Sequence, residues 1–187
     1  MSILTDDLPA SLEIEGVKCP MRTDFKTWLK VSKLMETENI INVLPQMLQL
    51  VFFELPPKLD GAIYAILDFY LGVSSKNVSQ GQGSTNKALF NFDYDAELIY
   101  AAFMQQYGID LCESTMHWWK FRALVNGLAE DTHFSKVIQF RGVDLSEIKD
   151  KDRKMFYRKM KALYKLPDNR SEETKEKNVN SNIESVF

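Results

Sequence analysis

Residues 92–128 carry the densest run of apolar and aromatic side chains in the chain, and we expect the other segments to pack around them. The apolar residues recur with the period of an α-helix, and Gly108 divides the run into two helices. The first helix should begin at Asp93 or Asp95, whose carboxylates can accept hydrogen bonds from first-turn amides, and should end near Tyr107. Its wide apolar arc predicts a position at the centre of the fold.

The second helix, capped by Ser114, contains two adjacent tryptophans. Successive side chains on a helix diverge by about 100°, so Trp118 and Trp119 cannot share one face. Trp118 falls on the stripe that lines the core, whereas Trp119 falls with Met116 and Ala123 on another side. Because burying an aromatic side chain is worth roughly 2 to 3 kcal/mol, we expect that side of the helix to be buried against other residues. Either a second layer of the same chain or a partner protein could cover it. If a partner covers it, Met116, Trp119 and Ala123 are the candidate partner-binding residues.

The N-terminal part combines the clearest strand pattern with apolar helices. Residues 11–22 alternate apolar and polar side chains, which predicts a small β-hairpin that needs a helix to pack on. The helix that follows should be capped by Thr23 or Asp24. Residues 40–53 are strongly apolar, and we expect a break before Pro45 and a helix after it.

These patterns predict a mostly α fold, a single-domain helical bundle over residues 1–166 with a small N-terminal β-hairpin. Residues 74–88 are polar and contain glycine, which predicts a mobile loop. Residues 167–187 have mixed charge and few apolar side chains, so burial cannot offset the entropy of ordering and we expect a disordered C-terminal tail. A chain of 187 residues is long enough to bury a core without disulfides or a metal.

Charge and cysteine content restrict the class of protein. The net charge of -3 argues against a general nucleic-acid-binding protein, which normally carries a basic excess. Cys19 and Cys112 are far apart and show no metal-ligand spacing, and with no signal peptide we expect a reducing cytoplasm. No apolar run is long enough to span a bilayer, so we expect no membrane partner.

Residues that could perform catalysis or bind a metal are few. The chain has 2 histidines, His117 and His133, and neither lies in a metal-ligand motif. A metal site would have to combine His117 with the acidic residues Asp93, Asp95 and Glu97, which are more simply first-turn residues stabilised by the helix dipole. His117 itself fits a helix-start residue partly covered by aromatic neighbours. We therefore expect no catalytic residue, no metal, no cofactor and no enzymatic activity.

The final helix should begin near Asp150 or Asp152 and combines an apolar side with a basic cluster. The residues expected on its buried side are Phe156, Met160, Leu163 and Tyr164. The basic candidates for binding are Lys151, Lys154, Arg158 and Lys161. A nucleic-acid-associated regulator acting through residues 149–165 is one hypothesis, because basic residues along a helix can follow a phosphate backbone. A solvated helix face and a contact with an acidic protein surface are the alternatives.

Several blocks of the sequence resemble one phage family. They are FDYDAELIYAAFMQQYGIDL, MHWWKFRALVNGL, FSKVIQFRGVDLSEIKDKDRKMFYRKMKALYKLP and the N-terminal IEGVKCPMRTDFKTWLKV. Over most of its length, up to Pro167, the chain is similar to the gene product fifteen family. Its members are small proteins encoded in the tail module of long-tailed phages that infect Gram-positive bacteria.

The resemblance implies a role in tail morphogenesis and transfers no catalytic positions. It implies a tail-assembly chaperone or accessory factor in the host bacterial cytoplasm, with the tape-measure protein and other tail proteins as partners. Self-association into a homo-oligomer is compatible with the family. A surface of aromatic and methionine side chains would accept amphipathic helices of the partner. A structural tail component retained in the virion is a further alternative.

Overall fold

The computed structural model describes these parts of the chain: 3–37, 40–57, 59, 61–72 and 89–167. Within them, a two-stranded sheet precedes seven helices, so the mostly α fold with an N-terminal hairpin is confirmed. The elements are β1 (Ser11–Ile14), β2 (Val17–Pro20), α1 (Phe25–Thr37), α2 (Ile40–Val51), α3 (Ala62–Leu71), α4 (Ala96–Tyr107), α5 (Trp118–Asn126), α6 (His133–Gly142) and α7 (Lys151–Leu163). The loop expected at 74–88 and residues 168–187 of the expected tail lie outside the described residues.

The hairpin pairs β1 and β2 in antiparallel register, with Ile14 opposite Val17. Glu15 and Gly16 form the turn, and both have positive φ angles of 47° and 80°. Two successive positive φ angles match the right-handed twist of the flanking strands. Ile14 and Cys19 point into the core, and α3 packs against β1. The expectation that the hairpin leans on a helix is therefore confirmed.

Helix α1 begins as expected and carries the single tryptophan of the N-terminal half of the sequence. The Asp24 carboxylate accepts a hydrogen bond of 2.9 Å from the amide of Thr27, which confirms Asp24 as a cap. Trp28 is fully buried, and its indole N–H donates to the carbonyl of Arg22 at 2.9 Å. Because the indole N–H has a hydrogen-bond partner, the ring can be buried without leaving a donor unpaired. The buried ring fixes α1 against α2 and α5.

Helix α2 runs continuously through Pro45, so the expected break before this residue is wrong. Proline in a helix interior removes one backbone hydrogen bond and costs about 3 kcal/mol. Helix α2 buries four apolar side chains, each worth roughly 1.5 to 3 kcal/mol, so packing outweighs the proline. These side chains belong to Val43, Met47, Leu48 and Val51.

Helix α4 ends at Gly108, which adopts the left-handed conformation with φ of 64° and confirms the expected boundary. Only one face of α4 is buried, through Ile99, Ala102 and Phe103. On the opposite face Met104 remains 44% exposed. The expected position at the centre of the fold is therefore wrong, because α4 covers the core from outside.

The helix expected to begin at Ser114 begins at Trp118, because the preceding backbone pairs with another part of the chain. The carbonyl of Met116 accepts a hydrogen bond of 2.9 Å from the amide of Phe25. The amide of Trp118 donates to the carbonyl of Thr23 at 2.7 Å. These bonds hold the residues before Trp118 extended and place Met116 outside α5.

Helix α6 has a threonine cap, and α7 starts after Asp150, one of its two expected capping residues. The hydroxyl of Thr132 accepts from the amide of Ser135 at 3.2 Å, and the carboxylate of Asp150 accepts from the amide of Arg153 at 2.7 Å. Among the residues that the structure describes, no helix has both the length and the apolar character needed to cross a membrane.

Candidate functional site

The two adjacent tryptophans both bind the C-terminal end of α3. The indole N–H of Trp118 donates to the carbonyl of Tyr70 at 2.9 Å, and the indole N–H of Trp119 donates to the carbonyl of Phe69 at 2.7 Å. Trp118 is buried and stacks on Tyr70, while Trp119 is half-buried and stacks on Phe69. Carbonyls in the last turn of a helix have no partner within the helix, so α5 provides a cap for α3.

The partner-binding candidates do not form one exposed stripe. Helix α3 covers Trp119, which is the intrachain layer considered above as an alternative to a partner. Met116 lies before α5 and packs against the core, where it is half-buried. Ala123 is exposed on α5. The structure therefore offers little free apolar surface at Met116, Trp119 and Ala123.

His117 caps α5 with its side chain. Its Nδ1 accepts a hydrogen bond of 3.1 Å from the amide of Trp119, and its Nε2 lies 3.2 Å from the carbonyl of Pro9. A neutral ring that carries its proton on Nε2 satisfies both contacts. Burial lowers the pKa of His117, and the hydrogen bond to Pro9 offsets part of this effect. The ring also contacts Phe69 and Trp119, as expected for a covered helix-start residue.

Asp95 occupies the N-cap position of α4, as expected, but its carboxylate accepts no hydrogen bond from a first-turn amide. Its carboxylate forms two hydrogen bonds with the guanidinium of Arg141, at 2.7 and 2.8 Å, and accepts a third from the amide of Asn91. Asp95 is 1% exposed and Arg141 is 9% exposed. Arg141 also donates to the carbonyls of Leu89 and Tyr164, at 3.0 and 2.6 Å. One buried ion pair thus joins the start of α4, the end of α6 and the end of α7.

Side chains that could bind a metal ion are not grouped together in the described parts of the chain. These parts contain no group of three or more histidine, cysteine, aspartate or glutamate side chains that could hold a metal ion. Asp93 binds Lys33 at 2.8 Å rather than joining Asp95, and both side chains of this pair are largely exposed. The acidic residues before α4 therefore take part in ion pairs.

Helix α7 contacts the rest of the fold through one side and buries none of its residues fully. Tyr164 stacks on Phe140 of α6, and Tyr157 contacts the same ring edge-to-face. Phe156 also contacts the Phe140 ring edge-to-face, although it remains 50% exposed. Leu163 is 63% exposed, so the expectation that it lies on the buried side is wrong. Two tyrosines seven positions apart share the inner side of α7, which turns Leu163 toward the opposite side.

We call the surface formed by Met155, Phe156, Lys159 and Leu163 the outer face of α7. Met155, Lys159 and Leu163 lie four residues apart and therefore line up along one side of the helix. Met155 and Leu163 are each 63% exposed. Met155 and Leu163 thus flank Lys159 on a side that the described residues leave uncovered. Phe156 borders this side, since its ring is half exposed and also contacts Phe140 edge-to-face.

The four basic candidates do not share one surface. Lys151 and Arg158 are exposed beside the outer face of α7. Lys154 and Lys161 are half-buried, and the Lys161 ammonium donates to the carbonyl of Val143 at 2.8 Å. The basic side chains therefore do not line up along α7, because Lys161 helps to attach it to the end of α6.

These features define a small helical protein whose last helix presents an apolar and basic face. The model of the family described as Bacteriophage Gp15 protein matches residues 4–166, and the chain belongs to this family. This confirms the resemblance found in the sequence and makes the chain a phage structural or morphogenesis protein. The match includes the whole of α7. Comparisons with curated proteins and with solved structures found no significant match.

Proposed function

We propose that the protein is a non-enzymatic tail-assembly chaperone or accessory factor that binds the tape-measure protein in the host bacterial cytoplasm. The observation that supports this proposal is the outer face of α7. Met155, Phe156 and Leu163 keep half or more of their surface exposed, although side chains of this type are usually buried. Methionine and aromatic side chains adapt to varied apolar surfaces, which suits a factor that contacts many segments of one long partner.

The size of this face favours a transient contact. Fully burying a methionine, leucine or phenylalanine is worth roughly 1.5 to 3 kcal/mol, so covering the exposed parts of three contributes roughly 3 to 5 kcal/mol. Micromolar binding requires about 8 kcal/mol, and association also costs entropy. A single outer face therefore binds weakly, which suits release of the factor as the tail tube polymerises.

Charge indicates which partner segment fits. Lys159 lies within the outer face of α7, and Lys151 and Arg158 are exposed beside it. Two copies of this face would bring like charges together, which disfavours self-association through α7. Amphipathic helices of the tape-measure protein that place acidic residues beside leucine or phenylalanine are the complementary partners.

Co-expression with the tape-measure protein of the same phage tests the proposal. The wild-type chain should keep the tape-measure protein in the soluble fraction, and the double variant Phe156→Ser/Leu163→Ser should lose much of this effect. Leu55→Ser/Tyr64→Ser is the matched control, because it removes two exposed apolar side chains elsewhere in the fold. The proposal predicts that the control behaves like the wild type. Equal effects of both variants would contradict the assignment to α7.

Two further results would favour the other hypotheses. Micromolar binding to duplex DNA that weakens steeply with added salt would support a regulator acting through residues 149–165. Detection of the chain in purified particles would support a structural tail component. Failure of the wild-type chain to keep the co-expressed tape-measure protein soluble would refute the chaperone proposal.

A further inference from the structure

A pocket with a volume of about 190 Å³ lies between the end of α3 and one side of α5. Apolar and polar atoms form similar shares of its wall, the polar side chain of Asn126 is among them, and its one charged group is the guanidinium of Arg122. The apolar wall is formed by Tyr70, Phe90, Phe92, Trp118 and Val125. A pocket that combines aromatic walls with a single charged group selects ligands by charge as well as by shape.

Arg122 is fixed in the pocket by contacts that use only part of its hydrogen-bonding capacity. Its Nη1 donates to the carbonyl of Tyr70 at 2.8 Å, and the guanidinium carbon lies 6.0 Å from the centre of the Trp118 ring. Gly72 leaves room for it, because a Cβ at this position would lie 2.8 Å from Nη1. A guanidinium has five N–H donors, so most of them remain available to a ligand.

The charge of Arg122 has no carboxylate partner among the described residues. Burial lowers the pKa of Arg122, and Tyr70 partly offsets this effect. The other arginine in a buried setting, Arg141, binds the carboxylate of Asp95 through two hydrogen bonds. Residues 73–88, which precede Phe90 in the chain, contain no aspartate or glutamate that could pair with Arg122.

We propose that this pocket binds a carboxylate that is joined to a small apolar or aromatic group. The carboxylate pairs with the free N–H groups of Arg122, whose planar arrangement matches its two oxygens. The apolar group lies among Phe90, Phe92 and Trp118. Arg141 receives a negative charge from Asp95, and such a ligand supplies the charge that no described residue provides for Arg122. This inference does not depend on the outer face of α7.

A titration of the full-length protein with phenylpropionate, followed by tryptophan fluorescence, tests the proposal because Trp118 lines the pocket. The change should saturate and should be absent with phenylpropionamide, which has the same shape but no charge. Arg122→Gln retains a donor for Tyr70 and removes the charge, so binding should weaken by about tenfold or more. Lys120→Gln, an exposed change on the same helix, should bind like the wild type.

Two further comparisons are needed. One uses a variant that keeps the charge of Arg122, so that weaker binding cannot be attributed to unfolding. The other identifies the source of the carboxylate. Arg122→Lys keeps the charge without the planar pair of donors and should bind more weakly than the wild type. A helical peptide with glutamate beside leucine, compared with its glutamine version, represents a partner protein. Tighter Arg122-dependent binding of the peptide indicates an acidic side chain of a partner, and preference for phenylpropionate indicates a free organic acid.

Either result supports a carboxylate site, because the shared chemistry depends on Arg122. Equal binding of phenylpropionate and phenylpropionamide would overturn the proposal. Carboxylate binding that Arg122→Gln leaves unchanged would overturn it as well, and the role of Arg122 would then be to cap α3. Phe156→Ser/Leu163→Ser should bind phenylpropionate like the wild type, so failure of one proposal does not affect the other.

Discussion

Replacement of Asp95 by asparagine should remove a large part of the stability of this protein. Asparagine has the same size and can still accept a hydrogen bond, so the change isolates the negative charge that pairs with Arg141. Removing one partner of a buried ion pair typically costs about 3 to 5 kcal/mol, because the remaining charge stays buried without compensation. Total stabilities are about 5 to 15 kcal/mol. At about 2 to 4 °C per kcal/mol for this chain length, Tm should fall by about 6 to 20 °C.

Urea unfolding followed by circular dichroism gives the free energy of unfolding, and amide hydrogen exchange reports on α7. Protection should fall in α7, because Arg141 also binds the carbonyl of Tyr164. Glu97→Gln, an exposed change in the first turn of α4, is the control and should stay within about 0.5 kcal/mol of the wild type. A loss below about 1 kcal/mol in Asp95→Asn would refute the assigned strength of the ion pair.

The remaining predictions concern the N-terminal end of α5 and the C-terminal ends of α3 and α4. Because the pKa of His117 is lowered in the folded chain, its contribution to stability is present above about pH 6.5 and is lost as the pH falls below that value. His117→Asn keeps a capping acceptor and does not titrate, so Tm should depend less on pH between about 7.5 and 5.5 than in the wild type; an unchanged dependence would contradict this role. Gly108→Ala should cost about 1 to 2 kcal/mol through its left-handed conformation alone. Gly72→Ala should cost more in urea unfolding, because its Cβ moves the Arg122 side chain away and removes its hydrogen bond to Tyr70, and equal losses would count against that contact.

Local sequence signals predicted the hairpin and several helix boundaries correctly. Gly108 ends α4, and Asp24 and Asp150 cap α1 and α7. These outcomes depend on residues within three or four positions of one another. Capping and left-handed closure are local interactions, so a single sequence contains the information that determines them.

Features that depend on distant parts of the chain were not predictable in this way. Asp95 and Arg141 are separated by 46 positions, and neither residue lies in a sequence pattern that predicts its pairing with the other. The start of α5 depends on backbone pairing with Thr23 and Phe25, which has no signature near Ser114.

Helix α7 shows a third limit of sequence patterns. Periodicity indicated which of its residues share a side, but it could not decide which side meets Phe140. The side carrying Tyr157 and Tyr164 packs on that ring, and Leu163 remains exposed. The surface on which the proposed function depends was therefore visible only in the structure.

Site-specific crosslinking at Phe156 tests the central claim most directly. A photoreactive phenylalanine analogue placed at Phe156, and at exposed Ala101 on α4 as a control, would be irradiated in cells that also produce the tape-measure protein. The proposed function predicts tape-measure peptides crosslinked to position 156 and few or none to position 101. Absence of tape-measure peptides at position 156, while the two proteins still co-purify, would contradict binding through the outer face of α7.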